Sequence, residues 1–170
     1  ERSLAGPIGH PIRIGEYQGL RPWGLAFGSS RISASKLDRS QVRLAGFTVA
    51  LDPLASLRRW KPVIALRLRG LEAQLQRNDA GRYWTFGGAK SNDPPPNVEL
   101  HYSFNESARL TFPSGGDQLA LQSRGAIRLD DSSFQTSSSL SWLGQAGTLR
   151  LDGSGRWDQP QFNVRSRAKS

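Results

Sequence analysis

Apolar and polar residues alternate with a period of two along most of this chain, and the spacing of an amphipathic helix is nearly absent. Ile12 and Ile14 open a strand that runs toward Gly19-Leu20, and Arg21-Pro22-Trp23-Gly24 breaks it. Leu25, Phe27 and Ile32 belong to the next extended piece. Val42 and Leu44 share one parity, whereas Phe47, Val49 and Leu51 share the other. The switch falls at Ala45-Gly46, where glycine allows a β-bulge.

Asp52 has the side chain of a helix N-cap, and Pro53 suits the first helical turn, where its missing N–H would be unpaired anyway. Leu54 and Leu57 give this helix a single apolar edge, and Pro62 ends it. So short a helix is unstable alone and is expected to pack on the sheet, with Trp60 against it. Ile64, Leu66 and Leu68 then point one way, opposite Arg67 and Arg69. Leu71, Ala73 and Leu75 repeat the pattern, and Asn78-Asp79-Ala80-Gly81 supplies a turn before Tyr83 and Trp84.

Residues 87–97 (GGAKSNDPPPN) read as a linker, because three consecutive prolines do not sit inside a central strand. They divide the chain into 1–86, a β-segment carrying the short helix, and 98–170, a β-meander. In the second part Val98, Leu100, Tyr102 and Phe104 face one side, and Glu99, His101, Ser103 and Asn105 the other. Ala108, Leu110 and Phe112 form the next strand, followed by Leu119 and Leu121, then Ile127 and Leu129. Asp130-Asp131 turns into a serine-rich strand holding Phe134, Leu140 and Trp142. A last hairpin is expected around Asp152-Gly153-Ser154-Gly155, between Leu149 and Leu151 on one side and Phe162 and Val164 on the other.

About ten strands joined by short turns describe an all-β antiparallel meander, since neighbours in sequence tend to be neighbours in space. Two architectures satisfy the pattern. A sandwich or barrel would seal the apolar face into a core, and an open curved sheet would leave it lining a groove. Periodicity does not separate them, because both need one apolar face.

Composition narrows the function classes. Leu, Ile, Val and Phe number 39 of 170 residues, which marks a folded chain. There is no cysteine, so disulfides and thiolate metal sites are excluded. Methionine is absent even at position 1, as expected of a piece of a larger protein. The net charge of +9 permits attraction to anions. The charges are scattered, however, and the densest cluster (Arg58, Arg59, Lys61) sits where a helix dipole favours cations, so no nucleic-acid partner is expected.

Reaction chemistry has little to stand on. His10 and His101 lack carboxylate or cysteine companions at ligand spacing, and no nucleophile elbow, zinc-protease, P-loop or dinucleotide motif occurs. Neither enzyme activity, metal nor cofactor is expected. Asn105-Glu106-Ser107 matches a glycosylation sequon of the kind that arises often by chance. Trp23, Trp142 and Trp157 fall near turns, where an amphipathic ring suits a rim or interface.

Three segments carry a resemblance: GPIGHPIRIGEYQGLRPWGLAFGSSRISA, FTVALDPLASLRR and LRLRGLEAQLQRNDAGRYW, in that order. They resemble the N-terminal periplasmic region of cyanobacterial TamB-family proteins, which are related to AsmA-like proteins and to a chloroplast inner-envelope translocon component. The likeness covers Gly6 to Trp84, and its most specific pieces are Phe47–Leu57 and Asp79–Trp84. Beyond the proline linker the similarity is generic, and Tyr102 and Phe104 at apolar positions favour a core over a lipid-lined wall.

The resemblance implies an elongated, curved, open β-groove anchored in the inner membrane and spanning the periplasm (the intermembrane space, if of plastid origin). It implies phospholipid as cargo and an Omp85-class outer-membrane protein as partner, with the remainder of the same chain supplying the anchor and further β-repeats. The groove candidates are Val98, Leu100, Tyr102, Phe104, Leu110, Phe112, Leu119, Leu121, Ile127 and Leu129. Two other roles fit the same pattern. One is a scaffold whose strand edges pair with clients during outer-membrane barrel assembly or translocation. The other is a carbohydrate-binding or adhesion sandwich, which would also use exposed aromatics.

Overall fold

Period-two alternation becomes twelve strands and one helix in the computed structural model, which describes residues 11–21, 24–35, 39–78, 81, 96–113, 116–142, 148–156 and 159–167. The elements are β1 (Ile12–Arg13), β2 (Tyr17–Arg21), β3 (Gly24–Phe27), β4 (Ser30–Ile32), β5 (Gln41–Leu51), α1 (Pro53–Arg59) and β6 (Val63–Gln74). They continue with β7 (Glu99–Phe104), β8 (Ala108–Phe112), β9 (Asp117–Arg128), β10 (Ser133–Trp142), β11 (Thr148–Arg156) and β12 (Gln159–Arg167). The fold is all-β. Every strand belongs to one sheet, in the order β1-β4-β5-β6-β7-β9-β10-β11-β12, with β2 on β3, β3 also on β5, and β8 between β6 and β9. Among the described residues no pairing closes β12 back onto the first strands, so the sheet is open.

The meander is interrupted at one junction. β6 pairs parallel with β7, from Val63↔Glu99 to Leu68↔Phe104, and parallel with β8, so the sheet is mixed instead of purely antiparallel. A parallel pair needs a long return connection, which the stretch between Gln74 and Glu99 provides. Most of the expected 87–97 linker lies outside the described residues. The described residues before and after it share one sheet through β6.

The parity switch expected at Ala45-Gly46 is present, without the expected bulge in β5. Leu44 pairs with Leu71 and Gly46 with Arg69, so register is kept through the switch. The left-handed residue is Gly70, at φ 57°, lying opposite Ala45. Both strands therefore turn over together, and the face presented by Phe47, Val49 and Leu51 continues as that of Val42 and Leu44. The N-terminal pieces follow this division. β3 pairs with Phe47–Ala50 of β5, β4 pairs with Val42–Leu44, and the chain breaks at Gly28-Ser29 between them. The first expected strand is likewise split, because Gly15 passes so close to the Gly28-Ser29 backbone that no Cβ would fit.

The last hairpin also sits elsewhere. Asp152–Gly155 lie inside β11, paired with β10 on one side and β12 on the other. Their glycines serve packing: a Cβ on Gly153 would stand 2.8 Å from the Phe162 ring.

α1 is capped as its sequence predicts, with the Asp52 carboxylate accepting from the Ala55 N–H at 2.9 Å. Its orientation is the reverse of the expectation. Leu54, Leu57 and Trp60 are 80%, 67% and 88% exposed, and Trp60 ends the helix in the left-handed conformation. The side turned to the sheet is polar. The Ser56 hydroxyl donates to the Asp52 carbonyl at 2.6 Å and accepts from the Val63 N–H at 2.8 Å, and Arg59 reaches Glu99. Hydrogen bonds and an ion pair, not apolar burial, fix this helix.

Candidate apolar binding face

Register shows which side chains share a face, because cross-strand partners project to the same side. One row runs Leu20, Leu25, Val49, Leu66, Tyr102, Gly125, Thr136, Gly153, Phe162, from β2 to β12. Beside it Leu51, Ile64, Leu100, Ile127 and Phe134 form a second row. At the other end Ile12, Ile32, Val42, Ala73, Leu110, Leu119 and Trp142 form a third. Aromatics meet on the same face: the Phe27 and Phe47 rings, in a further row with Leu68, stack at 4.8 Å, and Phe134 lies 6.1 Å from Phe162 across two rows.

Of the groove candidates, Leu100, Tyr102, Phe104, Leu110, Leu119, Leu121 and Ile127 are brought to this single face by register. Phe112 sits at the end of β8 opposite Asp117, and Val98 and Leu129 lie just beyond strand ends, joined by the Leu129 N–H donating to the Val98 carbonyl at 3.1 Å. Nothing among the described residues lies over the face as a second layer. Apart from Phe134, its large apolar side chains remain half-buried or exposed, with Phe162 and Val164 at 57% and 56% exposure. Of the five buried hydrophobic residues among those described, Ala26 and Val63 belong to the opposite face, and Ala73, Ala108 and Phe134 lie here.

Tyr102 carries a feature that alternation alone conceals. Its hydroxyl lies 2.6 Å from Thr136 Oγ1 and 3.2 Å from Ser123 Oγ, and Ser123 lies 2.8 Å from Ser138. Four hydroxyls thus make a hydrogen-bonded island within the apolar face. The signal available in the sequence was the shared parity of Thr136 and Ser138 with Phe134 and Leu140.

The opposite face is polar and is organised by Glu99, which is fully buried beneath α1. His101 Nε2 lies 2.7 Å from one carboxylate oxygen; Arg59 lies 2.8 Å, Arg128 3.6 Å and Lys61 3.8 Å from the other. Burial pushes the Glu99 carboxyl up, but the His101 hydrogen bond and the Arg59 and Arg128 charges outweigh it and hold the group below its ordinary value. His101 is therefore occupied by a structural carboxylate, and His10 lies outside the described residues. Among the described residues no group of His, Asp and Glu side chains is arranged to hold a metal ion, and no helix is long and apolar enough to cross a membrane.

Further along the polar face an open recess of about 960 Å³ crosses β6, β7, β9, β10, β11 and β12. It is lined by arginines, serines and amides, with Asp152 held below its ordinary value by the Ser137 hydroxyl, outweighing burial, with Arg150 adding to it. This recess thus opens on the arginine side of the sheet, not on the apolar side.

No family model, curated protein or solved structure matches this chain.

Proposed function

We propose that this chain is a non-catalytic segment of a periplasmic TamB-like protein, and that its apolar face conducts phospholipid between inner and outer membranes. The observation that carries the proposal is the apolar face that runs from β2 to β12, over which nothing lies among the described residues and on which three of them are buried hydrophobics. A sheet that spent this face on a core would seal it. Left open, it shields acyl chains at about 0.8 kcal/mol per methylene removed from water. Rows of similar side chains offer no single deep site, so a lipid slides along them without a large barrier. On this reading the inner-membrane anchor and further repeats come from the same chain, and an Omp85-class protein receives the cargo.

The test is lipid retention. The purified chain is incubated with phospholipid vesicles, re-isolated and examined by native mass spectrometry. Bound phospholipid is expected, and Leu66→Glu with Leu121→Glu should lower its occupancy about tenfold or more, since each places a charge on the apolar face. Occupancy unchanged in a folded double variant contradicts the proposal.

A second reading has its own observation. Among the described residues β12 pairs with β11 alone, which leaves the other side of a nine-residue strand without a partner there, and it exposes Phe162 and Val164. Such an edge suits pairing with the strand of a client during barrel assembly. Crosslinks from Phe162 to polypeptide, with none to lipid from the sheet interior, would favour it.

A further inference from the structure

The recess on the polar face is not explained by an apolar wall on the other side. Arg67, Ser103, Arg124 and Ser137 are successive partners across β6, β7, β9 and β10. Two arginines therefore stand two strands apart, about 10 Å, with a small hydroxyl between them. Neither has an acidic partner among the described residues, whereas Arg59 and Arg150 at the margins pair with Glu99 and Asp152. The neighbouring row places Ala65 and Ala126 on either side of His101, so the floor is low where the two free guanidinium groups rise. Six strands at roughly 4.8 Å spacing make the recess about 24 Å long, a shape for an extended ligand rather than a compact one.

The lining also says what is absent. Tyr102 and Phe162 border the recess only through their backbone, since the Tyr102 hydroxyl bonds Thr136 on the apolar face and the Phe162 ring packs over Gly153 there. Among the described residues the aromatic ring on the polar side of the recess is the His101 imidazole, which Glu99 already engages at 2.7 Å, and no Phe, Tyr or Trp ring is presented there for the bases of single-stranded nucleic acid to stack on. Guanidinium forks flanked by serine hydroxyls match phosphate oxygens.

We propose that this trough binds an extended, phosphate-bearing chain without aromatic groups, with Arg67 and Arg124 each holding a phosphate. The proposal does not depend on the lipid reading of the other face.

The experiment titrates the chain with short-chain inorganic polyphosphate by calorimetry at physiological salt, using two double variants of equal charge. Arg67→Gln with Arg124→Gln removes the two trough cations. Arg13→Gln with Arg31→Gln removes two arginines on the same face at the far edge of the sheet, where they are direct partners. Affinity should fall about tenfold or more in the first and less than about threefold in the second, because screening confines an exposed charge to its own neighbourhood. Equal losses would show general surface charge only and overturn the site, as would failure of the parent to bind. Tighter binding of oligothymidylate than of polyphosphate would overturn the ligand class. Circular dichroism of both variants confirms that the sheet is intact.

Discussion

Glu99 gathers His101, Arg59, Arg128 and Lys61 around one buried carboxylate and so ties α1 and the link that follows it to β7 and β9. Its folded pKa lies below the ordinary value of 4.5, so its stabilising effect is complete above that pH and is lost as pH falls through the folded value. The melting temperature should therefore drop between about pH 5 and about pH 3 more steeply in the parent than in Glu99→Gln. At neutral pH the same substitution should cost about 1–3 kcal/mol in denaturant unfolding, since the cations around it are partly exposed. Trp60 illustrates the opposite case. Nearly all of its ring is in water and its backbone is left-handed, so Trp60→Gly should raise stability by about 0.5–1 kcal/mol. A loss of more than about 1 kcal/mol would place the ring in a packed site. This orientation was not legible from residue order, because Leu54, Leu57 and Trp60 have the spacing of an inward edge. What turned them out was Ser56 and Arg59, whose partners Val63 and Glu99 only the fold brings near.

Among the elements, β5 and β6 depend on a paired turn-over that a single glycine permits. A methyl group on Gly70 would meet the Ala45 Cβ at 2.6 Å and hold the backbone at φ 57° against its preference. Gly70→Ala should cost about 1–3 kcal/mol, and adding Ala45→Gly should restore the part due to the clash while leaving the backbone part. Full recovery would show that the dihedral carries no cost. The alternation of Val42, Leu44, Phe47 and Val49 marked where the switch falls, but not which strand supplies the left-handed residue. That depends on register, which no local pattern contains. The parallel junction was hidden for a related reason. Strand pairing across the proline-rich stretch is a long-range contact, and the local sequence of β7 reads identically whether its neighbour is parallel or antiparallel. Asp152–Gly155 misled in turn because two glycines read as a turn, whereas Gly153 makes room for a ring on the next strand.

The sheet as a whole has two unlike faces, one apolar and one carrying the arginines of the recess. The apolar face was legible from alternation, since Leu100, Leu110, Leu121 and Ile127 keep the parity that register confirms. The hydroxyl island around Tyr102 and the arginine trough were not, because both need side chains from strands far apart in sequence. Independence of the faces has a consequence for salt. Lipid retention on the apolar side should be nearly unchanged between low and physiological salt, whereas polyphosphate affinity should fall steeply over the same range. Whether the apolar face carries lipid can be read in cells by photo-crosslinking. Crosslinkers placed in the full-length protein at Leu100, Leu110 and Leu121, and at their polar-face neighbours Ser103, Arg109 and Gln122, separate the two sides of the sheet. Phospholipid adducts at the three leucines and not at the three polar positions are the predicted result. Adducts confined to the chain itself, or lipid captured equally on both faces, would contradict it.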